Sequence, residues 1–465
     1  MSGQSQNRPT ATEILADRLA GPVTAADREK AALCVLDWAG CAVAGAASPA
    51  AAAMRAGLAG AGEGAGAGAG RKTDPLTDVL YWGALGNVLE MDDVDKRALL
   101  HPGPVVVPAA LAAAADTAAG SADDAGADGR RFLNGVVRGY EAVIRIGRAV
   151  GPDHYRFWHN TGTCGPFGAA AAAASIFDLD TEKTVWALGL AGTQASGFWQ
   201  TRHEPASQAK QLHTARAAHS GLMAARLAAN GFVGVKAILE GPQGFFAATC
   251  GDADPMAVVD FDRAGWAVHD VSVKPWPACR HAHAAIDAAL ALRAGGVDAG
   301  DVERAVIRTY GDALVFCDKP SPEDVLSAKF SLQHSVAVSL LNGPPRLDDF
   351  EGPALADPAI RALRGKIAAA EDEAYSRRYP ARFGAALDIV LVGGGRRTVE
   401  IPDALGDPEN PPPRDLVLDK ARMLMAHGGL DTDKMENLIS CALSLPEPDG
   451  SLKAFLEMLK SGALQ

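Results

Sequence analysis

Long runs of Ala, Leu, Gly and Val fill most of this chain, and four short polar islands interrupt them, at residues 90–103, 159–163, 207–213 and 274–283. Runs of this kind fold by burying one face of each helix against the next, so whatever polar groups they enclose must be paired. The islands read Glu90-Met-Asp-Asp-Val-Asp-Lys-Arg-Ala-Leu-Leu-His-Pro-Gly103, His159-Asn-Thr-Gly-Thr163, Ser207-Gln-Ala-Lys-Gln-Leu-His213 and Lys274-Pro-Trp-Pro-Ala-Cys-Arg-His-Ala-His283. Five of the eleven His lie in them, each beside charged, amide or hydroxyl side chains. If they converge in one cleft, they make an acid/base site for an anionic substrate.

Bulk properties narrow the classes. With 465 residues, 48% of them hydrophobic, the chain is long enough for two domains with large cores. Its net charge of −12 and its lack of a Lys/Arg-rich run argue against nucleic acid and against an anionic membrane surface. A basic pocket for a small anion remains compatible with an acidic protein. The first residues lack the apolar core of a signal peptide, and the Ala-rich run 169–176 is too short to span a bilayer. The expected location is cytoplasmic. Seven scattered Cys, odd in number and without Cys-x-x-Cys, argue against a disulfide framework and an iron–sulfur cluster.

The pattern up to residue 267 is helical. Thr24 and Asp27 form an N-cap and first-turn carboxylate for a stretch running to Ala46. Further helices are expected over 76–89, 108–117, 130–150, 166–177, 181–190 and 208–230, the last ending at Gly231. The Gly/Ala repeat 60–70 and the polar stretch 120–129 read as loops. After Trp266 the texture changes. Strands are expected at 268–273 and 305–310 around a helix 283–294, and a hairpin at 387–392 and 397–401 turns on Gly393-Gly-Gly395. Helices return at 414–427 and 435–445. The expected fold is mainly α: a large all-helical domain from both termini, residues 1–267 plus 403–465, with a smaller inserted α+β lid domain, 268–402.

Each island has a chemical and a plainer reading. Glu90, Asp92, Asp93 and Asp95 precede His101, so carboxylates can shift one another and orient the imidazole; the alternatives are a solvated acidic turn or a Mg²⁺ or Ca²⁺ loop, although the calcium-loop spacing is absent. His159 stands where an Ala-rich helix starts, beside backbone N–H groups suited to an anion, or else is a satisfied structural His. Cys164 reads as a packed residue. Lys210 and His213 share one helix face, with Arg216 three residues on, and Arg202 and His203 just upstream suit carboxylate recognition. Lys274 with His281 or His283 is expected to meet a substrate across the domain junction. Pro275 and Pro277 argue against a strand that would present both His to a metal. Nucleophile-elbow, Walker and dinucleotide motifs are missing from the sequence.

These islands resemble the MmgE/PrpD family, whose members include 2-methylcitrate dehydratase, cis-aconitate decarboxylase and iminodisuccinate epimerase. The resemblance rests on Asp37-Trp-Ala-Gly40, Asp92-Asp93 followed by His101-Pro-Gly, His159-x-Thr-Gly-Thr, Gln208-Ala-Lys-x-Leu-His213, Lys274-Pro-x-Pro-Ala-Cys-Arg-His281 and Lys329-Phe-Ser-Leu332 in that order. It implies a helical domain with a smaller α+β lid, a homodimer, no required cofactor, and substrate contacts by His101, His159, Lys210 and a His of the fourth island. Many members read Asp-x-Asp-Asp-Thr-His where this chain has Glu90-Met-Asp-Asp-Val-Asp95, and the decarboxylase branch has a Tyr near the segment Phe316-Cys-Asp-Lys-Pro320. Both departures count against cis-aconitate decarboxylation, and the first also against a strict 2-methylcitrate assignment.

The expected activity is a cofactor-independent hydro-lyase that removes a proton next to a carboxylate of a small di- or tricarboxylic acid. An iminodicarboxylate epimerase, a decarboxylase and a non-catalytic ligand-binding homologue are the alternatives. The candidate catalytic residues are His101, His159, Lys210 and Asp93. Glu90, Arg202, His213, Lys274, His281 and His283 are candidates for substrate binding, with no metal ligand among them.

Overall fold

The computed structural model describes residues 8–59, 74–120, 128–204, 207–261 and 265–463. The chain divides into two units, one built from the residues up to Val271 and from Val417 onward, the other from Ser272–Leu416. The second junction lies beyond the 402/403 limit expected from the sequence. Residues just past that limit are tied to the start of the same unit: Val273 donates its N–H to the Gly406 carbonyl at 3.0 Å, and Ser272 Oγ donates to Asp407 at 2.6 Å.

The larger unit is helical. Helix Ala25–Ala46 begins with the anticipated cap, in which Thr24 Oγ1 accepts from the Asp27 N–H and Asp27 accepts from the Thr24 N–H, so two otherwise orphaned donors are satisfied. Helix Ala209–Ala229 stops before Gly231, whose φ of +85° is the left-handed turn that favours glycine. The core explains the composition. A Cβ on Gly139 would lie 2.8 Å from the Gly168 carbonyl and one on Gly168 2.9 Å from the Gly139 carbonyl. Helices Gly129–Ala149 and Asn160–Ile176 therefore approach more closely than any side chain permits there, and Ala and Gly line the contact.

Two expectations are corrected here. The helix expected to start at Pro166 begins at Asn160 and carries that proline inside it. Residues 160–165 have poor helix formers, but tertiary bonds hold them: Asn160 Nδ2 donates to the Ala98 carbonyl at 2.7 Å, and Thr163 Oγ1 meets His154 Nε2 at 2.8 Å. The β-branched run 268–273 is not a strand; Ala267–Asp270 forms a 3₁₀ turn. Its polar groups find partners outside any sheet, the Ala267 N–H on Glu141 and the Asp270 carboxylate on Arg148. The loop expected at 60–70 lies outside the described residues, as do residues 121–127 of the one expected at 120–129.

The smaller unit holds a four-stranded sheet of β1 (Val302–Thr309), β2 (Ile367–Glu371), β3 (Ala385–Leu391) and β4 (Arg396–Ile401), ordered β2-β1-β3-β4. The β3–β4 hairpin is the one the glycines marked, with Gly393 and Gly394 both at positive φ. Strand β2 was not anticipated. Its Ile-Ala-Ala-Ala-Glu sequence has little β propensity, and parallel pairing with β1 supplies the structure instead. Helices His283–Ala294 and Leu332–Asn342 belong to the same unit. Among the described residues no single helix is long and apolar enough to cross a membrane.

Candidate active site

The acidic loop follows helix Pro75–Leu85 and is not a solvated turn. Glu90, Asp92, Asp93 and Asp95 are all buried. Burying four carboxylates requires partners, and each has them. Glu90 receives the Lys210 ammonium at 2.5 Å. Asp92 accepts from Asn87 Nδ2 at 2.8 Å and lies 2.9 Å from His101 Nδ1. Asp93 accepts from the Tyr140 hydroxyl at 2.6 Å and from the Gly103 N–H at 2.8 Å. Asp95 takes Arg148 at 2.5 Å and the Ala98 N–H at 2.7 Å, so it braces the loop.

The tautomer of His101 follows from its neighbours. Nδ1 also lies 2.9 Å from the Asp93 main-chain carbonyl, which can only accept. Nδ1 therefore carries a proton, and any proton exchanged with a substrate passes through Nε2. The same loop holds a carboxyl near neutrality. Burial, reinforced by the Asp37 charge, pushes Asp93 up to about 7, against the opposing pull of the Tyr140 and Gly103 donors.

The second and third islands meet the first within this unit. His159 is the residue preceding helix Asn160–Ile176, its N–H fixed on the Gly197 carbonyl at 2.8 Å. Its ring stacks on Trp199 with centroids 4.5 Å apart, and its Nδ1 lies 3.2 Å from His213 Nδ1. Burial, then the charges of Lys210, His213 and His101, hold His159 well below the usual imidazole range, so its ring is neutral near neutral pH. His213 is lowered as well, by burial and then by Lys210. Lys210 and His213 share a face of helix Ala209–Ala229. Arg216 does not join them; it is exposed. Arg202 is half-buried in the 3₁₀ turn Trp199–His203, and His203 is exposed. Cys164 is fully buried and its thiol is pushed up by that burial, consistent with packing.

The fourth island belongs to the smaller unit. Lys274, Arg280, His281 and His283 are buried there, and no strand runs through them. His283 Nδ1 lies 3.0 Å from the Arg280 guanidinium and its Nε2 3.1 Å from the Ala278 carbonyl. A donor-only group faces one nitrogen and an acceptor-only group the other, so the neutral ring is fixed from both sides. His283, expected beside a substrate, is thus tied into its own unit. His281 is stacked between Phe316 and Phe383, at 5.0 and 5.3 Å, with Nδ1 2.7 Å from the Tyr310 hydroxyl. The carboxylates of Asp403, Asp407 and Glu409 lie close enough together to hold a cation, but Asp407 already receives Arg280 at 2.5 Å and the Ser272 hydroxyl.

Sequence reasoning missed Tyr140, Trp199, Tyr310 and Lys420. The three aromatic residues look like ordinary apolar positions in their stretches. Lys420 looks like one cation among many in helix Arg414–His427, yet it is buried against Asp37.

The comparisons with known proteins add an independent line. The MmgE/PrpD N-terminal domain model matches residues 15–257 and the MmgE/PrpD C-terminal domain model matches 276–445. The chain belongs to the MmgE/PrpD family. Among its relatives, a cis-aconitate decarboxylase-like protein of Aspergillus oryzae is 27% identical over 81% of this chain and 80% of its own length. The cis-aconitate decarboxylase of Mus musculus is 30% identical over 45% of this chain and 44% of its own. The 2-methylcitrate dehydratase of Cupriavidus necator is 29% identical over 49% of each. For the last two, the chain spans about half the length of the relative. These relatives are named as decarboxylases and a dehydratase, which supports an enzyme as the coarse conclusion and leaves the reaction open.

The Asp93 environment gives a stability test. An unfolded Asp titrates near about 3.9, and the folded group titrates at about 7. The fold thus favours the protonated form; that contribution is complete below the unfolded value and is lost as pH rises through 7. Asp93→Asn does not titrate, so its melting temperature should lie further below wild type at pH 5 than at pH 8. Melting curves at both pH values check this; a gap independent of pH would show an ordinary carboxyl.

Proposed function

We propose that this protein is a lyase that removes a proton next to a carboxylate of a small di- or tricarboxylic acid, with loss of a β-hydroxyl as water. The observation that carries the reading is a neutral, buried His159 set among Lys210, His213 and His101. Hydrogens α to a carboxylate are very weak acids, so the chemistry needs an uncharged base together with cations that neutralise the developing enolate. His159 supplies the first and Lys210 the second. The departing hydroxide needs a proton to leave as water. His101 can give it only as an imidazolium, with one proton kept on Nδ1 between Asp92 and the Asp93 carbonyl and the second donated from Nε2.

A second reading has its own support, because relatives matched over about four fifths of the chain are described as cis-aconitate decarboxylases or like them. There the carbanion would form by loss of CO₂, and an imidazole would then protonate it. An NMR screen in D₂O with citrate, 2-methylcitrate, cis-aconitate, iminodisuccinate and tartrate separates the outcomes. The expected result is deuterium at an α-carbon with olefin formation from a hydroxy acid. Carbon dioxide release from cis-aconitate would replace dehydration by decarboxylation, and exchange with inversion alone would make the protein an epimerase. Silence across all the acids would overturn the enzymatic reading.

A further inference from the structure

The loop that carries Glu90, Asp92 and Asp93 is held in an unfavourable backbone. Glu90 and Leu99, neither of them glycine, have φ of +59° and +52°, a left-handed region that L side chains avoid. Such a loop keeps its shape only if the surroundings over-determine it. Asp95 and Asp93 anchor its middle, through Arg148 and through Tyr140 and Gly103. Its beginning is anchored from the far end of the chain. Lys420 donates to the Met91 carbonyl at 2.6 Å and to Asp37 Oδ1 at 2.5 Å, and both Lys420 and Asp37 are buried.

Met91 sits between Glu90, the partner of Lys210, and Asp92, the partner of His101. We propose that Lys420 is a positioning residue: by gripping the Met91 carbonyl it sets Glu90 toward Lys210 and Asp92 toward His101. This rests on the proposed acid/base function of that loop. Stability alone does not call for the pair, since a buried ion pair can often be replaced by neutral groups of similar size without loss. An apolar filler such as Met cannot, however, donate to a carbonyl and fix its direction. Lys420 thereby makes the segment after the inserted unit part of the site's support.

The test uses the full-length chain. In Asp37→Asn/Lys420→Met both charges go together, so no buried charge is left unpaired. Asp37→Asn alone keeps the ammonium on Met91. The double variant is expected to melt within a few degrees of wild type and yet lose about 10–100-fold in kcat, the scale of a catalytic group displaced by about 1 Å, while KM changes little. Asp37→Asn should keep near wild-type kcat. Should the double variant not fold, Asp37→Asn/Lys420→Gln, which keeps a polar pair but ends one atom short of the Met91 carbonyl, is expected to show the same kcat loss. Wild-type kcat in the folded double variant, or a loss that follows only the folded fraction, would overturn the proposal. If wild type itself turns over none of the acids, the functional reading has failed separately, and the ¹⁵N signal of the His101 ring decides. A signal that moves in the double variant but not in Asp37→Asn supports positioning, and one that stays put in both overturns it.

Discussion

Replacing His159 by Gln should lower kcat by about 10²–10⁴-fold, the range typical of a lost general base, while KM stays within a few-fold of wild type. Gln can still bond His213 and fill part of the space against Trp199, so packing is largely kept. Because burial and the neighbouring cations already keep the ring neutral, the substitution removes no buried charge and the melting temperature should hardly move. The same environment sets the sign of the pH dependence. A base whose titration lies well below the imidazole range stays competent under mildly acidic conditions, so the acidic limb of kcat/KM should fall below the pH at which an ordinary His would protonate. Turnover of the folded fraction equal to wild type, with a lowered melting temperature, would make His159 a structural residue.

How much of this was legible in the sequence depends on distance along the chain. The islands stood out because His, Lys and carboxylates are costly inside an Ala-rich helical core, and that contrast is local. The Thr24 cap, the Gly231 stop and the Gly393-Gly394 turn were legible for the same reason, since short-range backbone chemistry decides them. Pairings were not. Lys210 meets Glu90 across 120 residues and Lys420 meets Asp37 across 383, and no periodicity encodes either. The expected stripe of Lys210, His213 and Arg216 failed at its third member because a helix stripe drifts, and Arg216 turns to solvent. His283 is a substrate-binding candidate by its nearness to Lys274 and His281, and nothing in the island's sequence marks the contacts its ring makes with Arg280 and the Ala278 carbonyl. The strand expected at 268–273 failed because β-branched residues report a preference for pleated surfaces, and no neighbouring strand offers one there.

Lys210→Ala is expected to weaken binding of a dicarboxylate by roughly 2–5 kcal/mol, the usual cost of removing one member of a desolvated charge pair. The substitution alone is ambiguous, because Lys210 already contacts Glu90, whose side chain is 6% exposed. Deleting the ammonium takes a cation from that buried carboxylate, and the added negative field would weaken an anion's binding even if Lys210 never touched it. Glu90→Gln resolves this. Alone, it removes a negative charge from beside the ammonium, so the dicarboxylate should bind at least as tightly as to wild type. Combined with Lys210→Ala, it leaves no unpaired charge, and the fold should recover most of the stability lost in the single variant. If Lys210 meets the substrate, affinity in the double variant stays low while the melting temperature returns. If Lys210 serves only Glu90, both recover together. Calorimetric titration and melting curves on the four proteins of this cycle distinguish the outcomes, and joint recovery would remove Lys210 from the substrate site.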